Sequence, residues 1–487
     1  MRVVEATMSR RSLALAVLTL PVLLISIDMT VLGAALPALT EDLDPGAAEQ
    51  LWIVDAYSFV LAGLLVTMGT LGDRIGRRRL LLWGAAAFGL ASVAAAFAPT
   101  AGTLVVARAL LGLGGATLMP STFSLIKSTF PEPRRRATAV AVWSAAFSGG
   151  AAAGPVIGGF LLEHFWWGSV FLINVPVIVL LLALGPRVLP ESRDPHPGPF
   201  DLPSAALSLV AMFPLVAAVK TLATEGATPG AGVAAVVGVV AGAVFVRRQR
   251  RLAHPLIDLE LFTHRPFSVS VTTNLLGVFA LVGLLVLLPQ YLQLVLGLSP
   301  LTAALWMLPG SVAGVAGALA ATRLVRRFSG PGLIGVGLGA AGVGLALVGF
   351  LGGLGAVVAG FVLLGGGVAL AEALTNDLIL AAAPADRAGA ASAISETGYE
   401  LGGALGTAVL GSIAAAVFTA RTGQETLGGA LAHAGTDMAA ARDAFTAGMQ
   451  IASVLGALVL AATALGAWRL LRRVTGTDRE MSAAARR

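Results

Sequence analysis

The chain has 487 residues, of which 57% are hydrophobic and 12% charged, with a mean hydropathy of +0.87; these values exclude a water-soluble domain and describe a polytopic membrane protein. It contains no cysteine, which removes disulfides, thiolate metal sites and cysteine nucleophiles, and its five histidines (164, 196, 254, 264 and 433) fall in loops or at helix ends, so no metal or Cys/His chemistry is indicated. The formal net charge of +6 would suit a nucleic-acid partner, but no nucleic acid is expected once the basic residues are placed by membrane topology.

In chain order, fourteen runs can cross a bilayer as helices: roughly 12–36, 51–71, 80–98, 102–124, 136–161, 167–189, 202–223, 231–246, 267–295, 302–322, 332–350, 356–380, 388–417 and 444–468. The first follows Arg10-Arg11 and is too continuous with the next hairpin for a cleaved signal peptide, so it is expected to remain as a helix. Its middle holds Asp28, which reads as a binding or protonation residue, with a buried helix-helix hydrogen bond as the alternative. The second holds Trp52, Asp55 and Tyr57; Asp55, placed about one turn inside the outer end, reads either as a substrate contact or as a solvated vestibule residue.

The second run ends in the polar stretch Gly69-Thr70-Leu71-Gly72-Asp73-Arg74-Ile75-Gly76-Arg77-Arg78-Arg79, whose charges cannot lie in hydrocarbon. Gly69, Gly72 and Gly76 let two helix ends approach, and Asp73 is placed to bond backbone N–H groups or pair with an arginine. The arginines alone read equally well as a charged stop signal. In the fourth run, Arg108 lies beside Gly112, Gly114 and Gly115 and needs an acidic or carbonyl partner if buried. The fifth combines Gly150, Gly154, Pro155, Gly158 and Gly159, a close-packing face with a kinking proline.

An extra hairpin, 201–246, sits between proline-rich 190–199 and basic 247–251, as expected of linkers. Laying Ala321–Arg327 on Gly72–Arg78 matches the arginines but loses the aspartate and glycines, a weak repeat that supports two six-helix bundles. The expected organisation is an N-terminal bundle at 1–190, linker and inserted helices at 191–265, and a C-terminal bundle with its tail at 266–487. With both termini cytoplasmic, 28 of the 32 Lys and Arg residues face inside, Lys220, Arg421 and Arg442 face outside, and Arg108 lies within a helix. Neither lysine, Lys127 or Lys220, follows a glycine, so there is no phosphate loop and no sign of ATP use.

Glu372 and Asp377 lie in the twelfth run and Glu396 and Glu400 in the thirteenth. The i, i+4 spacing puts Glu396 and Glu400 on one helix face, where repulsion and removal from water favour a shared proton near neutral pH; bonds to serines or an arginine are the alternative. Glu372 is placed to share that cavity, whereas Asp377 reads as a helix-end charge. Trp52, Tyr57, Trp143, Phe147, Trp306 and Tyr399 offer aromatic faces to cations, with packing or interface roles as the alternative.

The 69–79 loop, the Asp28–Pro37 stretch, Trp52–Ser58, Arg108 with Gly112, the Gly150–Gly159 motif and Ser395–Gly402 together resemble the major facilitator superfamily, in particular its fourteen-helix drug:proton antiporters of the QacA, SmvA and LfrA type. The resemblance implies an all-α major facilitator fold and proton-driven export of lipophilic cations: quaternary ammoniums, cationic dyes and biocides, with fluoroquinolones as further candidates. It implies that Asp28, Glu396, Glu400 and Arg108 handle protons, that the fifth-helix motif serves export, and that Gly69–Arg77 serves conformational cycling. No cofactor beyond the proton motive force is expected, and the protein is expected as a monomer in the bacterial plasma membrane. Two departures stand out. The QacA type has aspartate where this chain has Glu400, and an acid used there for divalent cations has no counterpart in Leu305–Pro309. A self-made natural product or a lipid is the alternative cargo; channel and enzyme readings lack a selectivity loop or a nucleophile constellation.

Overall fold

Inside a bilayer every backbone N–H and C=O must find a partner within the protein, and a helix meets that demand locally. The computed structural model describes residues 2–193, 201–224, 226–253, 255–384, 387–432 and 437–484, and among them it contains helices and no strand. Most of the proline-rich linker with His196, together with His254 and His433, lies outside the described residues.

The helices are α1 (Arg2–Leu43), α2 (Ala47–Ile75), α3 (Arg77–Ala96), α4 (Ala101–Thr129), α5 (Pro133–His164), α6 (Ser169–Leu172), α7 (Asn174–Val188), α8 (Leu202–Thr224) and α9 (Pro229–Gln249). They continue with α10 (Arg265–Gln290), α11 (Pro300–Leu324), α12 (Gly330–Leu351), α13 (Gly353–Ala382), α14 (Ala388–Gly406), α15 (Ser412–Thr422), α16 (Leu427–Ala432) and α17 (Met438–Ala484). Fourteen spans among the described residues are long and apolar enough to cross a membrane, at the places the apolar runs predict.

The differences lie at the ends and in irregular turns. α2 starts at Ala47 because the Glu49 carboxylate accepts the Gly46 N–H at 3.2 Å, so Asp55 sits about two turns inside the helix and is buried, not at a wet rim. Lys220, counted above with the outer segments, is buried within α8. π-helical turns at Tyr291–Val295 and Thr407–Gly411 follow α10 and α14, and the sixth span breaks between α6 and α7.

Two compact units emerge: Met1–Ala217 with Gly232–Phe245 and Gly297–Leu305, and Ala218–Ala231 with Val246–Leu296 and Trp306–Arg487. Most of the inserted hairpin therefore belongs to the first unit. In that unit α1 packs on α5, α2 and α3 pack on α4, and α7 packs on α1 and α3. A Cβ at Gly150 would run into Ser26 Oγ and lie 2.9 Å from the Leu23 carbonyl oxygen, and one at Gly154 would run into Thr30 Oγ1 and lie 3.1 Å from that of Ile27, so α5 packs closely on α1 with only these short hydroxyl side chains at the contact. In the second unit α12 packs on α13 and α17, while α10 packs on α13, α14 and α17. There Gly402 and Gly406 abut the backbone of Leu275 and Phe279, giving α10 and α14 the same kind of contact as α1 and α5.

Candidate functional site

The first unit encloses a buried ion pair. Arg108 on α4 donates through Nη1 to Asp28 Oδ2 at 2.8 Å and through Nε to the Ile53 carbonyl of α2 at 3.0 Å. Its guanidinium lies over the Tyr57 ring, 4.7 Å from the centroid. The other Asp28 oxygen accepts from Asn174 Nδ2 at 3.1 Å, and the same amide reaches Ser92 Oγ at 3.2 Å. Asp28 and Arg108 are 1% and 2% exposed, so neither charge has water as an alternative partner. Asp28 is thus held by two donors from two helices. Asn174 and Ser92, which sequence reasoning missed, complete the network.

The 69–79 loop is tied at both ends. Asp73 accepts from Arg77 Nε at 2.8 Å, which is the pairing alternative foreseen for it. Gly76 has φ +110°, a conformation that side-chain-bearing residues rarely adopt, and it lets α2 turn directly into α3. Glu191, just after α7, accepts the backbone N–H of Arg78 at 3.0 Å, and Arg78 Nη1 donates to the Leu189 carbonyl at 3.0 Å. Glu191 had read only as linker.

The second unit gathers carboxylates without a basic residue on the same helices beyond Arg265. Glu372 on α13 and Glu396 on α14 are half-buried and interact electrostatically; Glu400 is 2% exposed. Tyr399, half-buried on α14, is within electrostatic reach of all three acids. Next to them Asn376 Oδ1 accepts from Ser395 Oγ at 2.8 Å and from Asn274 Nδ2 at 3.0 Å, which ties α13 and α14 to α10. Asp377 is exposed near the end of α13. Arg387, just before α14, bridges Asp258 at 3.1 Å and Glu260 at 2.6 Å in the segment ahead of α10, and this bond and charge hold the Glu260 carboxyl below the usual carboxylate range.

The aromatic candidates separate. Trp143 stacks on Phe147, with centroids 6.4 Å apart, and meets the edge of Phe123 at 5.9 Å, with the Lys127 ammonium 4.9 Å from the Phe123 ring centre. Trp52 instead stacks on Phe213 of α8 at 5.6 Å, so one of its faces is covered by the inserted hairpin. Trp306 is exposed beside exposed Leu305. Gly158 and Gly159 sit against Val31 and the Pro300-Leu301 backbone.

Residues 18–407 match the sequence profile of the Major Facilitator Superfamily. The chain belongs to that superfamily. Among curated relatives of this major facilitator chain, the multidrug efflux pump LfrA of Mycolicibacterium smegmatis is 50% identical over 484 residues, covering 94% of this chain and 96% of its own. The methyl viologen resistance protein SmvA of Salmonella typhimurium is 41% identical over 420 residues, covering 85% and 84%. The tetracenomycin C resistance and export protein of Streptomyces glaucescens is 36% identical over 404 residues, covering 81% and 74%. A crystal structure of a bacterial homologue of the human lysosomal transporter Spinster, inward-facing and unoccupied, superposes with a TM-score of 0.68 at 18% identity, covering 95% of this chain and 98% of that one, a likeness of fold. The protein is accordingly a multi-pass membrane transporter and not an enzyme, and its relatives support drug efflux.

Proposed function

We propose that the protein exports lipophilic cations in exchange for protons across the bacterial plasma membrane, with both termini cytoplasmic. The observation that carries this reading is the group of Glu372, Glu396 and Glu400 on helices that bring no basic residue beyond Arg265, while the Arg108 charge is matched by Asp28. A carboxylate cluster in a low-dielectric setting attracts a cation when ionised and loses that attraction when protonated. Drug and proton then compete for the same carboxylates, and a proton entering from the outer side releases the drug. Asp28, engaged by Arg108 and Asn174, contributes by giving up or retaking that pair and not as a standing drug ligand. Tyr399, within electrostatic reach of the three acids, supplies a face for planar or quaternary cations.

The test is reconstitution in proteoliposomes with an imposed pH gradient and a panel of cationic, neutral and anionic dyes. Gradient-dependent movement of the cationic dyes, with release of protons on drug addition, is the expected result. Preferential movement of anionic dyes, or transport indifferent to the gradient, refutes it. The tetracenomycin C relative favours a second reading, export of a self-made antibiotic, which competition between such a compound and ethidium would reveal.

A further inference from the structure

Asn274 is 4% exposed, and its amide nitrogen is committed to Asn376 Oδ1 at 3.0 Å, with Ser395 Oγ at 3.5 Å. Among the described residues its carbonyl oxygen, Oδ1, has no partner, and neither does the hydroxyl of Ser270, fully buried one turn earlier on α10. A buried acceptor left unpaired is costly and calls for a partner. Two such atoms in succession along one helix face mark a place built for a small hydrogen-bonding guest.

The position of this face gives it a role. Asn376 lies one turn from Glu372 on the same face of α13, and Ser395 immediately precedes Glu396 on α14. The trio of Asn274, Asn376 and Ser395 therefore adjoins both acids in the helices, and Ser270 lies on its side toward Arg265, where α10 begins. The Asn376 oxygen already accepts from both Asn274 and Ser395, so the trio is locked, and among the described residues Asn274 Oδ1 is its unpartnered acceptor.

Resting on the reading of Glu372 and Glu396 as the exchanging acids, we propose that Ser270 and Asn274 hold water that carries protons between those acids and the Arg265 end of α10. In the step, the water keeps the O–H that it donates to Asn274 Oδ1, and its other O–H bond breaks as an O–H bond forms on a Glu372 or Glu396 oxygen. The water oxygen left behind takes a replacement proton from the Ser270 hydroxyl, which in turn takes one from solvent hydronium entering at the Arg265 end of α10. Asn274 positions the water and is not itself protonated.

The titratable and charged groups on the elements around this route are Glu372 and Asp377 from α13, Glu396, Tyr399 and Glu400 from α14, and Arg265, His264 and the Arg387–Asp258–Glu260 cluster near the start of α10. α12 brings none along Gly330–Leu351, and α17 brings none between Asp443 and Arg469.

The test uses the full-length protein in proteoliposomes containing a pH-sensitive dye, with ethidium as the probe. Asn274→Leu and Ser270→Ala should slow ethidium-driven proton release about tenfold or more, because each removes one anchor of the water. Ethidium affinity at fixed pH, and ethidium–ethidium exchange without a gradient, should be unchanged. The solvent isotope effect on proton release should rise, because proton delivery becomes limiting, and Asn274→Ser should restore part of the rate. Equal losses of exchange and proton release, or unchanged release in both variants, would overturn the proposal. If Asn274→Leu does not fold, Ser270→Ala decides alone. A wild-type protein that releases no protons on ethidium addition would instead refute the exchange reading and take this assignment with it.

Discussion

Replacing Arg108 by Met tests the buried network in the first unit. The substitution removes the donor 2.8 Å from Asp28 Oδ2 and leaves that carboxylate, 1% exposed, with only the Asn174 amide. An uncompensated charge of this kind costs about 3–5 kcal/mol. At about 1.4 kcal/mol per tenfold, the unfolding equilibrium should shift by roughly two to three and a half orders of magnitude. Asp28→Leu combined with Arg108→Met removes both charges and should recover most of that loss, because a buried pair replaced by apolar groups of similar size is often neutral in stability. Denaturant unfolding in mixed micelles measures the single and double variants; gradient-driven dye efflux should stay low in both. A double variant as unstable as Arg108→Met would refute the argument that the uncompensated Asp28 charge causes the loss.

Asp73→Asn weakens the acceptor held by Arg77 and should lower the transport rate more than equilibrium drug binding; weakened binding with an unchanged rate would contradict this. Gly402→Val forces a side chain into the Leu275 backbone and should cost about 1–3 kcal/mol by thermal unfolding, whereas Gly398→Ala, whose added Cβ would meet only Val271 Cγ1 at 3.6 Å, should be tolerated. Glu260→Gln tests the Arg387 contact: because the folded-state carboxyl is held low, its contribution is present above the ordinary carboxylate range and lost as pH falls through the lowered value. The Tm advantage of wild type over this variant should therefore close on the acid side, and a gap that persists there would exclude the contact as its source. Deleting 201–246 with a short bridge should leave a monodisperse protein although it uncovers Trp52 and the Gly63 notch filled by Leu209; loss of all folded material would make the hairpin part of the core.

The spans were legible because apolar length alone decides them, and Asp28 and Arg108 stood out because a charge in hydrocarbon is costly enough to need a reason. Their mutual pairing was not legible, since 80 positions separate them and tertiary packing brings them together. Asn174, Asn274 and Asn376 were passed over for a related reason: an uncharged amide in an apolar helix is a weak signal until its partners are known. Asp55 was placed too near the rim because the polar Ala47–Gln50 segment reads as loop, although Glu49 in fact caps the helix. Glu191 was hidden by its prolines, which made a docked segment look like free linker.

The close contact between α1 and α5 also has a practical use. With only the short Ser26 and Thr30 side chains at the Gly150 and Gly154 contacts, the two helices have few rotamers to rearrange and should travel as one rigid body. The chain lacks cysteine, so a pair of introduced thiols, one on each helix, can carry spectroscopic labels with no background to remove. Their separation should stay constant through the transport cycle, an internal ruler against which the displacement of any third label can be calibrated.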